Sequence, residues 1–110
     1  MKEDKQAKLI NMLRSESLIA YDVETTGLKW QNDVVVGYSV SDGKEAMYIP
    51  VRHTGGGNIS NVDLFENEIN IAIQNRSKSL ICHNAKFDMH LSQNHGINIS
   101  KIQDTMTRAA

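Results

Sequence analysis

The seven residues Leu18-Ile19-Ala20-Tyr21-Asp22-Val23-Glu24 decide the fold of this chain. A short and mostly apolar run of this kind, followed by Thr25-Thr26-Gly27, predicts a buried β-strand that ends at a turn. On the amino-terminal side, residues 3–14 mix Ala, Leu, Ile and Met with Lys, Glu and Gln, which is typical of an amphipathic helix. A helix therefore precedes the strand, and the strand itself carries two carboxylates.

The segments that follow predict a meander. Residues 33–41 and 46–51 are rich in Val, Tyr and Ile, which favour strands. Asp42-Gly43 between them is typical of a hairpin turn. Three consecutive strands with short connections predict an antiparallel arrangement.

The second half of the chain adds helices and shorter strands. Apolar residues at helical spacing predict helices over 64–76 and 84–95, on either side of a short strand at 79–83. Residues 97–103 are predicted to be irregular or a short strand. Because strands that are joined through helices lie parallel, the order predicts an α/β fold. Its mixed sheet combines an antiparallel three-strand meander with parallel strands, and helices flank the faces of the sheet.

Composition excludes several classes of protein. The chain has 110 residues, 12 Lys+Arg and 13 Asp+Glu, for a net charge of -1, so we expect one domain and no binding of nucleic acid through bulk positive charge. The single cysteine, Cys82, excludes an internal disulfide. Without a leader pattern or an apolar run of about 18 residues, we expect a soluble, cytoplasmic protein with no membrane partner.

Asp22 and Glu24 stand out from their apolar strand. At positions i and i+2 they point to the same face of the sheet, where two ionised carboxylates repel each other. Such a pair persists where the strand end is exposed to solvent, or where the carboxylates bind a cation such as Mg²⁺. The sequence alone leaves both interpretations open.

A second polar group follows the next parallel strand, in the run Cys82-His83-Asn84-Ala85-Lys86-Phe87-Asp88. Asn84 stands at a helix start, where it can cap the helix, and Asp88 in the first turn can complement the helix dipole. However, the carboxyl ends of neighbouring parallel strands meet at one edge of a sheet. Three carboxylates at that edge could hold two metal ions about 3.5–4 Å apart, the arrangement used for phosphodiester cleavage.

These motifs, in this order, resemble those of the DEDD-type 3′–5′ exonucleases. Residues 21–28 (Tyr-Asp-Val-Glu-Thr-Thr-Gly-Leu) resemble the first motif of the family, and residues 83–88 (His-Asn-Ala-Lys-Phe-Asp) resemble the second. Residues 48–53 (Tyr-Ile-Pro-Val-Arg-His) are similar to a strand in the proofreading domain of family A DNA polymerases. Residues 95–97 and 104–106 are similar to the stretch that leads into the next helix of that domain. The resemblance implies a ribonuclease-H-like fold.

The resemblance also implies a catalytic centre that holds two Mg²⁺ or Mn²⁺ ions through three carboxylates, Asp22, Glu24 and Asp88. Asp22 would bridge the ions, Glu24 would also position the attacking water, and Asp88 would hold the second ion.

The substrate implied by the resemblance is the 3′ end of single-stranded DNA. Four residues would contact it: Thr25, Leu28, Asn84 and Phe87. A position in the core is the alternative for Leu28, and a helix cap is the alternative for Asn84. Phe87 stands where the family often has tyrosine, so it retains the ring without the hydroxyl.

The chain departs from the family pattern after residue 106. The third motif, Tyr-x-x-x-Asp or His-x-x-x-Asp, does not occur before Ala110. We therefore expect residues 1–110 to form a partial, C-terminally incomplete exonuclease domain that is weak or inactive alone, with the remaining part of a DNA polymerase chain as its partner. An inactive remnant, the complementing half of a split polymerase and an RNA-trimming exonuclease remain alternatives.

Overall fold

The computed structural model describes residues 4–27 and 33–104 and folds them around one five-stranded sheet with the strand order β3-β2-β1-β4-β5. The elements in chain order are α1 (Lys5–Arg14), β1 (Ile19–Thr25), β2 (Val35–Ser41), β3 (Ala46–Pro50), α2 (Val62–Gln74), β4 (Leu80–Cys82), α3 (Ala85–Gln93) and β5 (Ile102–Asp104). The predicted α/β fold, with a mixed sheet, is confirmed.

The meander is antiparallel and its register is well defined. Asp22 of β1 is paired with Ser39 of β2, which in turn is paired with Tyr48 of β3. The turn between β2 and β3 is closed by Asp42, whose Oδ1 atom accepts hydrogen bonds from the amides of Lys44 and Glu45, each at 2.8 Å. The pairing places Asp22, Ser39 and Tyr48 in a row on one face of the sheet.

The second half extends the sheet on the other side of β1. β4 is parallel to β1, and β5 is parallel to β4. α2 connects β3 to β4 and α3 connects β4 to β5, so both crossovers proceed in the same direction along the sheet. Because crossovers between parallel strands are right-handed, α2 and α3 lie on the same face of the sheet. The buried contact between Tyr21 and Ser92 joins this face to α3, and that between Tyr38 and Glu66 joins it to α2.

The core lies between the sheet and these helices. Along β1, the buried residues Ile19, Tyr21 and Val23 alternate with exposed ones, and the exposed positions are Ala20, Asp22 and Glu24. The sequence predicts helices against the faces of the sheet, but all the helices of the described ranges pack on one of them. The reason is visible in the alternation, since the residues of β1 on the opposite face are small or charged.

A buried arginine fixes the connection between α1 and β1. Arg76, only 3% exposed, donates hydrogen bonds to the carbonyl oxygens of Leu13, Ser15 and Ser17 at 2.7–2.9 Å. Leu13 lies in the last turn of α1, and Ser15 and Ser17 follow it, where helical hydrogen bonding ends. Arg76 thereby satisfies backbone groups that the turn would otherwise leave without partners.

Most element boundaries differ from the sequence prediction by one or two residues. α2 spans Val62–Gln74 rather than 64–76, and on it Leu64 faces outward (56% exposed) while Glu66 is buried (4% exposed). Residues 102–104 form β5 by pairing with β4. The local sequence predicts either an irregular segment or a short strand here, and the pairing with β4 decides for the strand. Within the described ranges, we find no helix with the length and apolarity that crossing a membrane would require.

Candidate active site

Asp88 lies almost completely buried in the first turn of α3. Its side chain is 1% exposed, and its Oδ2 atom has no hydrogen-bond partner within the described part of the chain. Burial, and after it the charge of Asp22, raise the pKa of Asp88 to about 7, although the Val23 amide and the Cys82 thiol act in the opposite direction. A buried carboxylate in this condition is costly for a folded protein.

The topology of the sheet brings Asp22 and Asp88 together. β1 and β4 are parallel neighbours, with Ala20 paired to Ile81. Asp22 lies two residues beyond this pair on β1, and α3 begins shortly after β4 ends. The two carboxylates therefore meet at the carboxyl edge of the parallel strands, where open α/β sheets bind ligands.

This pair of carboxylates fits a hard divalent cation. Mg²⁺ and Mn²⁺ prefer carboxylate oxygens, and a cation at this edge would supply the partner that Asp88 Oδ2 lacks. It would also offset the repulsion between Asp22 and Asp88. The donor set is thus compatible with the ions that the sequence implies.

Glu24 has different partners from Asp22. Its Oε1 atom accepts a hydrogen bond from the Tyr48 hydroxyl, and it lies 3.6 Å from Nε2 of His53. The same Tyr48 hydroxyl is 2.5 Å from His53 Nε2. Partial burial and the neighbouring Glu24 raise the pKa of Tyr48 to about 12, so its hydroxyl keeps its proton at neutral pH.

An open groove runs beside these residues across the exposed face of the sheet. It has a volume of about 390 Å³. Its lining residues are Asp22, Val23, Glu24, Ser39 and Tyr48. The groove thus connects the carboxylates of β1 to the aromatic ring on β3, and it is open to solvent along its length.

The three carboxylates do not form one cluster in the structure. Among the residues that it describes, no group of three or more His, Cys, Asp or Glu side chains is placed to hold a metal ion. Asp22 lies with Asp88, while Glu24 is turned toward Tyr48 and His53. A joint site of Asp22, Glu24 and Asp88 therefore remains a prediction.

The predicted substrate residues occupy different environments. Thr25 is half-buried at the end of β1, and its hydroxyl donates to the carbonyl oxygen of Gly27. Asn84 is exposed at the start of α3, and its side chain makes no capping hydrogen bond within the described residues. Phe87 is half-buried against the core, and Leu28 lies outside the described residues.

Glu66 is a second buried carboxylate, which the sequence did not predict. Both oxygens of Glu66 accept hydrogen bonds from Arg52 at 2.9 Å, and the Tyr38 hydroxyl donates to Oε2 at 2.7 Å. Arg52 also donates to the carbonyl oxygen of Val35 on β2. This cluster ties α2 to β2 and fixes the backbone immediately before His53.

Tyr48 and His53 were also missed as site residues, although their segment contributes to the resemblance. A signal existed for Tyr48, because it alternates with the buried Ile49 and therefore lies on the face of the carboxylates. Its approach to Glu24 could not be predicted, since that approach depends on how β1 and β2 are paired.

Comparison with known proteins places these features in a family. The sequence profile of a family described as 3′-5′ exonuclease matches residues 1–110. The chain is 33% identical over 110 residues to DNA polymerase I of Chloroflexus aurantiacus, covering 94% of this chain and 11% of that protein. It is 32% identical over 94 residues to DNA polymerase DpoZ of Vibrio phage phiVC8, covering 82% and 13% respectively. The chain thus spans about a tenth of the length of these polymerases.

A solved structure supports the same architecture. The structure titled "apo form of the nuclease" superposes with a TM-score of 0.62 over 99% of this chain and 47% of the other. At 21% identity, this likeness concerns the fold.

Proposed function

The chain belongs to the 3′-5′ exonuclease family found in DNA polymerases, and on that premise we propose that it removes nucleotides from the 3′ end of single-stranded DNA with the help of two Mg²⁺ or Mn²⁺ ions. The observation that carries the proposal is the pair formed by Asp22 and the buried Asp88. Asp88 Oδ2 has no hydrogen-bond partner within the described residues, and this is the chemistry that a divalent cation completes.

Each carboxylate has a separate task in this proposal. Asp22 and Asp88 would hold the ions, and Glu24, whose side chain is 60% exposed, would bind one of them and orient the attacking water from the groove side. When bound, the ions would favour ionisation of a water and offset the charge that develops on the phosphate. Because the ligands are acidic, the ions also supply the positive charge that a chain of net charge -1 lacks for binding DNA.

The substrate end would lie along the groove and the start of α3. Asn84 is exposed there and could contact the phosphate backbone of the penultimate nucleotide. Phe87 is half-buried, so only part of its ring could stack on a base. Unpaired bases are needed for such stacking, and this favours a single strand over a duplex. The relatives are DNA polymerases, which supports DNA as the substrate and a polymerase chain as the setting.

The proposal is tested on a 5′-labelled single strand incubated with Mn²⁺ and the chain, together with a separately made segment that carries the Tyr-x-x-x-Asp motif. We expect shortening from the 3′ end that requires Mn²⁺ and is lost in Asp22→Asn and in Asp88→Asn. Asp63→Asn is the matched control, because Asp63 is an exposed carboxylate in the first turn of a different helix. Shortening that survives both site substitutions would contradict the proposal. Faster digestion of blunt duplex than of single strand would contradict the proofreading role.

A further inference from the structure

Three side chains form a hydrogen-bonded series on the exposed face of the sheet, next to Asp22. The Tyr48 hydroxyl donates to Oε1 of Glu24 and lies 2.5 Å from His53 Nε2. His53 Nε2 is itself 3.6 Å from the same Glu24 oxygen. Both neighbours therefore act on one oxygen of Glu24.

We infer that Tyr48 and His53 are positioning residues that hold the Glu24 carboxylate through Oε1 and leave Oε2 for the reaction. This inference rests on the proposed function and assigns to it two residues that the carboxylate motifs do not include. Neither residue needs to touch the substrate, because each acts through Glu24.

The direction of the hydrogen bonds follows from the number of protons. A tyrosine hydroxyl has one proton, and here Tyr48 donates it to Glu24. The contact between Tyr48 and His53 must then use a proton on Nε2 of the imidazole. The series therefore runs from His53 through Tyr48 to Glu24, and it requires the Nε2–H form of the neutral ring.

A glycine makes room for this arrangement. Gly37 of β2 lies between Glu24 and Pro50 in the sheet, and a Cβ atom added to it would stand 1.9 Å from the Tyr48 hydroxyl oxygen. No larger residue could occupy position 37 without moving the ring of Tyr48. The close approach of Tyr48 to Glu24 thus depends on the absence of a side chain on the strand between them.

The backbone of His53 is held from both sides. The His53 amide donates to Asn58 Oδ1 at 2.7 Å, and the Asn58 side-chain amide donates back to the His53 carbonyl at 2.9 Å. On the other side, Arg52 is fixed by its two hydrogen bonds to the buried Glu66. The imidazole therefore projects from a fixed point, although residues 54–57 next to it are exposed.

Positioning matters here because Glu24 is mostly exposed. A glutamate side chain that is 60% exposed would otherwise sample many rotamers, and ordering it on metal or water binding would cost conformational entropy. Outer hydrogen-bond partners of metal-binding carboxylates commonly change affinity or activity by about 10- to 100-fold when they are removed. Tyr48 and His53 are in the right place to have this effect.

The first experiment needs neither metal nor substrate. The ¹⁵N shifts of the His53 ring report which nitrogen carries the proton in the neutral form. We expect the Nε2–H tautomer in the metal-free chain, and a shift of the Nε2 resonance in Tyr48→Phe. The Nδ1–H tautomer would overturn the inference, because His53 would then have no proton to donate to Tyr48.

The second experiment measures Mn²⁺ affinity and the kinetics on single-stranded DNA. We expect Tyr48→Phe to weaken Mn²⁺ binding and to lower kcat by about tenfold, with little change in KM or in melting temperature. Gly37→Ala should reproduce this effect by displacing the hydroxyl. His53→Gln, which keeps a donor, should retain more activity than His53→Leu.

Tyr38→Phe is the matched control, because it removes a tyrosine hydroxyl from a buried contact on β2 and leaves both hydrogen bonds between Arg52 and Glu66 in place. It should lower the melting temperature and leave Mn²⁺ affinity and the His53 tautomer unchanged. Unchanged Mn²⁺ affinity in Tyr48→Phe would overturn the inference, as would a raised KM with unchanged kcat, which indicates direct contact with DNA. If the unmodified chain neither binds Mn²⁺ nor digests DNA, the proposed function fails, and the tautomer still decides whether His53 and Tyr48 hold Glu24.

Discussion

Two acidic side chains of the described residues, Glu66 and Asp88, are buried on the helix-covered side of the sheet, and their partners differ. Glu66 is 4% exposed and is surrounded by donors from Arg52 and Tyr38. Asp88 is 1% exposed, has a neighbouring carboxylate and keeps one oxygen without a partner within the described residues. The protein itself supplies the cation for the first acid, whereas for the second we propose a divalent cation from solution.

Under the proposed function, this difference separates a structural acid from a functional one. Buried polar groups are almost always hydrogen-bonded in native proteins, so an unsatisfied carboxylate is retained at a cost in stability. Perturbed acids of this kind cluster at sites of catalysis or binding. Burial alone would not distinguish Glu66 from Asp88. Their hydrogen-bond and charge partners do distinguish them.

The largest expected effect is on the catalytic rate, when Asp88 and Glu66 are each replaced by their amides. In Asp88→Asn the exonuclease rate should fall by on the order of 10³-fold, because a metal ion contributes several kcal/mol to the stability of the phosphoryl transition state. Single-turnover digestion of a single-stranded oligonucleotide in Mn²⁺ measures the change. Glu66→Gln, at a temperature where it is folded, should lose no more than about tenfold, the effect expected when His53 is less firmly held. An equal loss in both variants would remove the functional distinction.

For the stability of the fold, we expect Glu66 to matter more than Asp88. Glu66→Gln should lower the free energy of unfolding by about 3 kcal/mol, since removing one partner of a buried ion pair leaves the other without compensation. Urea denaturation measures this value, and Glu68→Gln is the control, because Glu68 is an exposed residue of the same helix. A loss no larger than that of the control would show that the Glu66 cluster is not a structural element.

The pH dependence of stability should reveal Asp88 directly. Between the ordinary pKa of 3.8 and about 7, the folded chain keeps a proton on Asp88 that the unfolded chain has released. The free energy of unfolding therefore falls as the pH rises through this window, by a few kcal/mol at most from this residue. Asp88→Asn should have a flatter profile and become the more stable protein on the alkaline side. Parallel profiles for the two proteins would contradict the raised pKa.

The smallest expected effect is the stabilisation of the folded chain by Mn²⁺, which should depend on Asp22 and not on Glu66. Mn²⁺ at about ten times its dissociation constant should stabilise the chain by about 1.4 kcal/mol, which raises the melting temperature by roughly 5–10 °C for a domain of this size. Asp22→Ala should abolish most of the increase, while Glu66→Gln, although less stable, should keep it. An identical increase in Asp22→Ala would place the ion elsewhere.

The sequence predicts the sheet well because its signals are local. Strand patterns and the Asp42 turn identify the meander, and the helices between the later strands identify the parallel half. The meeting of Asp22 with Asp88 follows from this topology, since it requires only that β1 and β4 be parallel neighbours. The resemblance to an exonuclease family is confirmed by the comparisons.

The partners of individual acids are less predictable. A polar residue in a helix ordinarily predicts a solvent-facing side, so the sequence gives no sign that Glu66 is buried, and the apolar Leu64 gives none that it is exposed. The contact of Tyr48 with Glu24 depends on the pairing of β1 with β2, which shifts between Glu24 and Thr25. Such a shift comes from the packing of whole strands and leaves no local pattern in the sequence.

The buried Arg76 has a consequence for the time course of folding. The carbonyls of Leu13, Ser15 and Ser17 obtain their partner from a residue that lies 59 to 63 positions later in the chain. At about 5–20 residues per second, a ribosome needs several seconds to add these positions. During that interval α1 and the start of β1 exist without the side chain that joins them. Closure of this long loop must therefore come late, and long-range contacts of this kind slow the folding of mixed sheets.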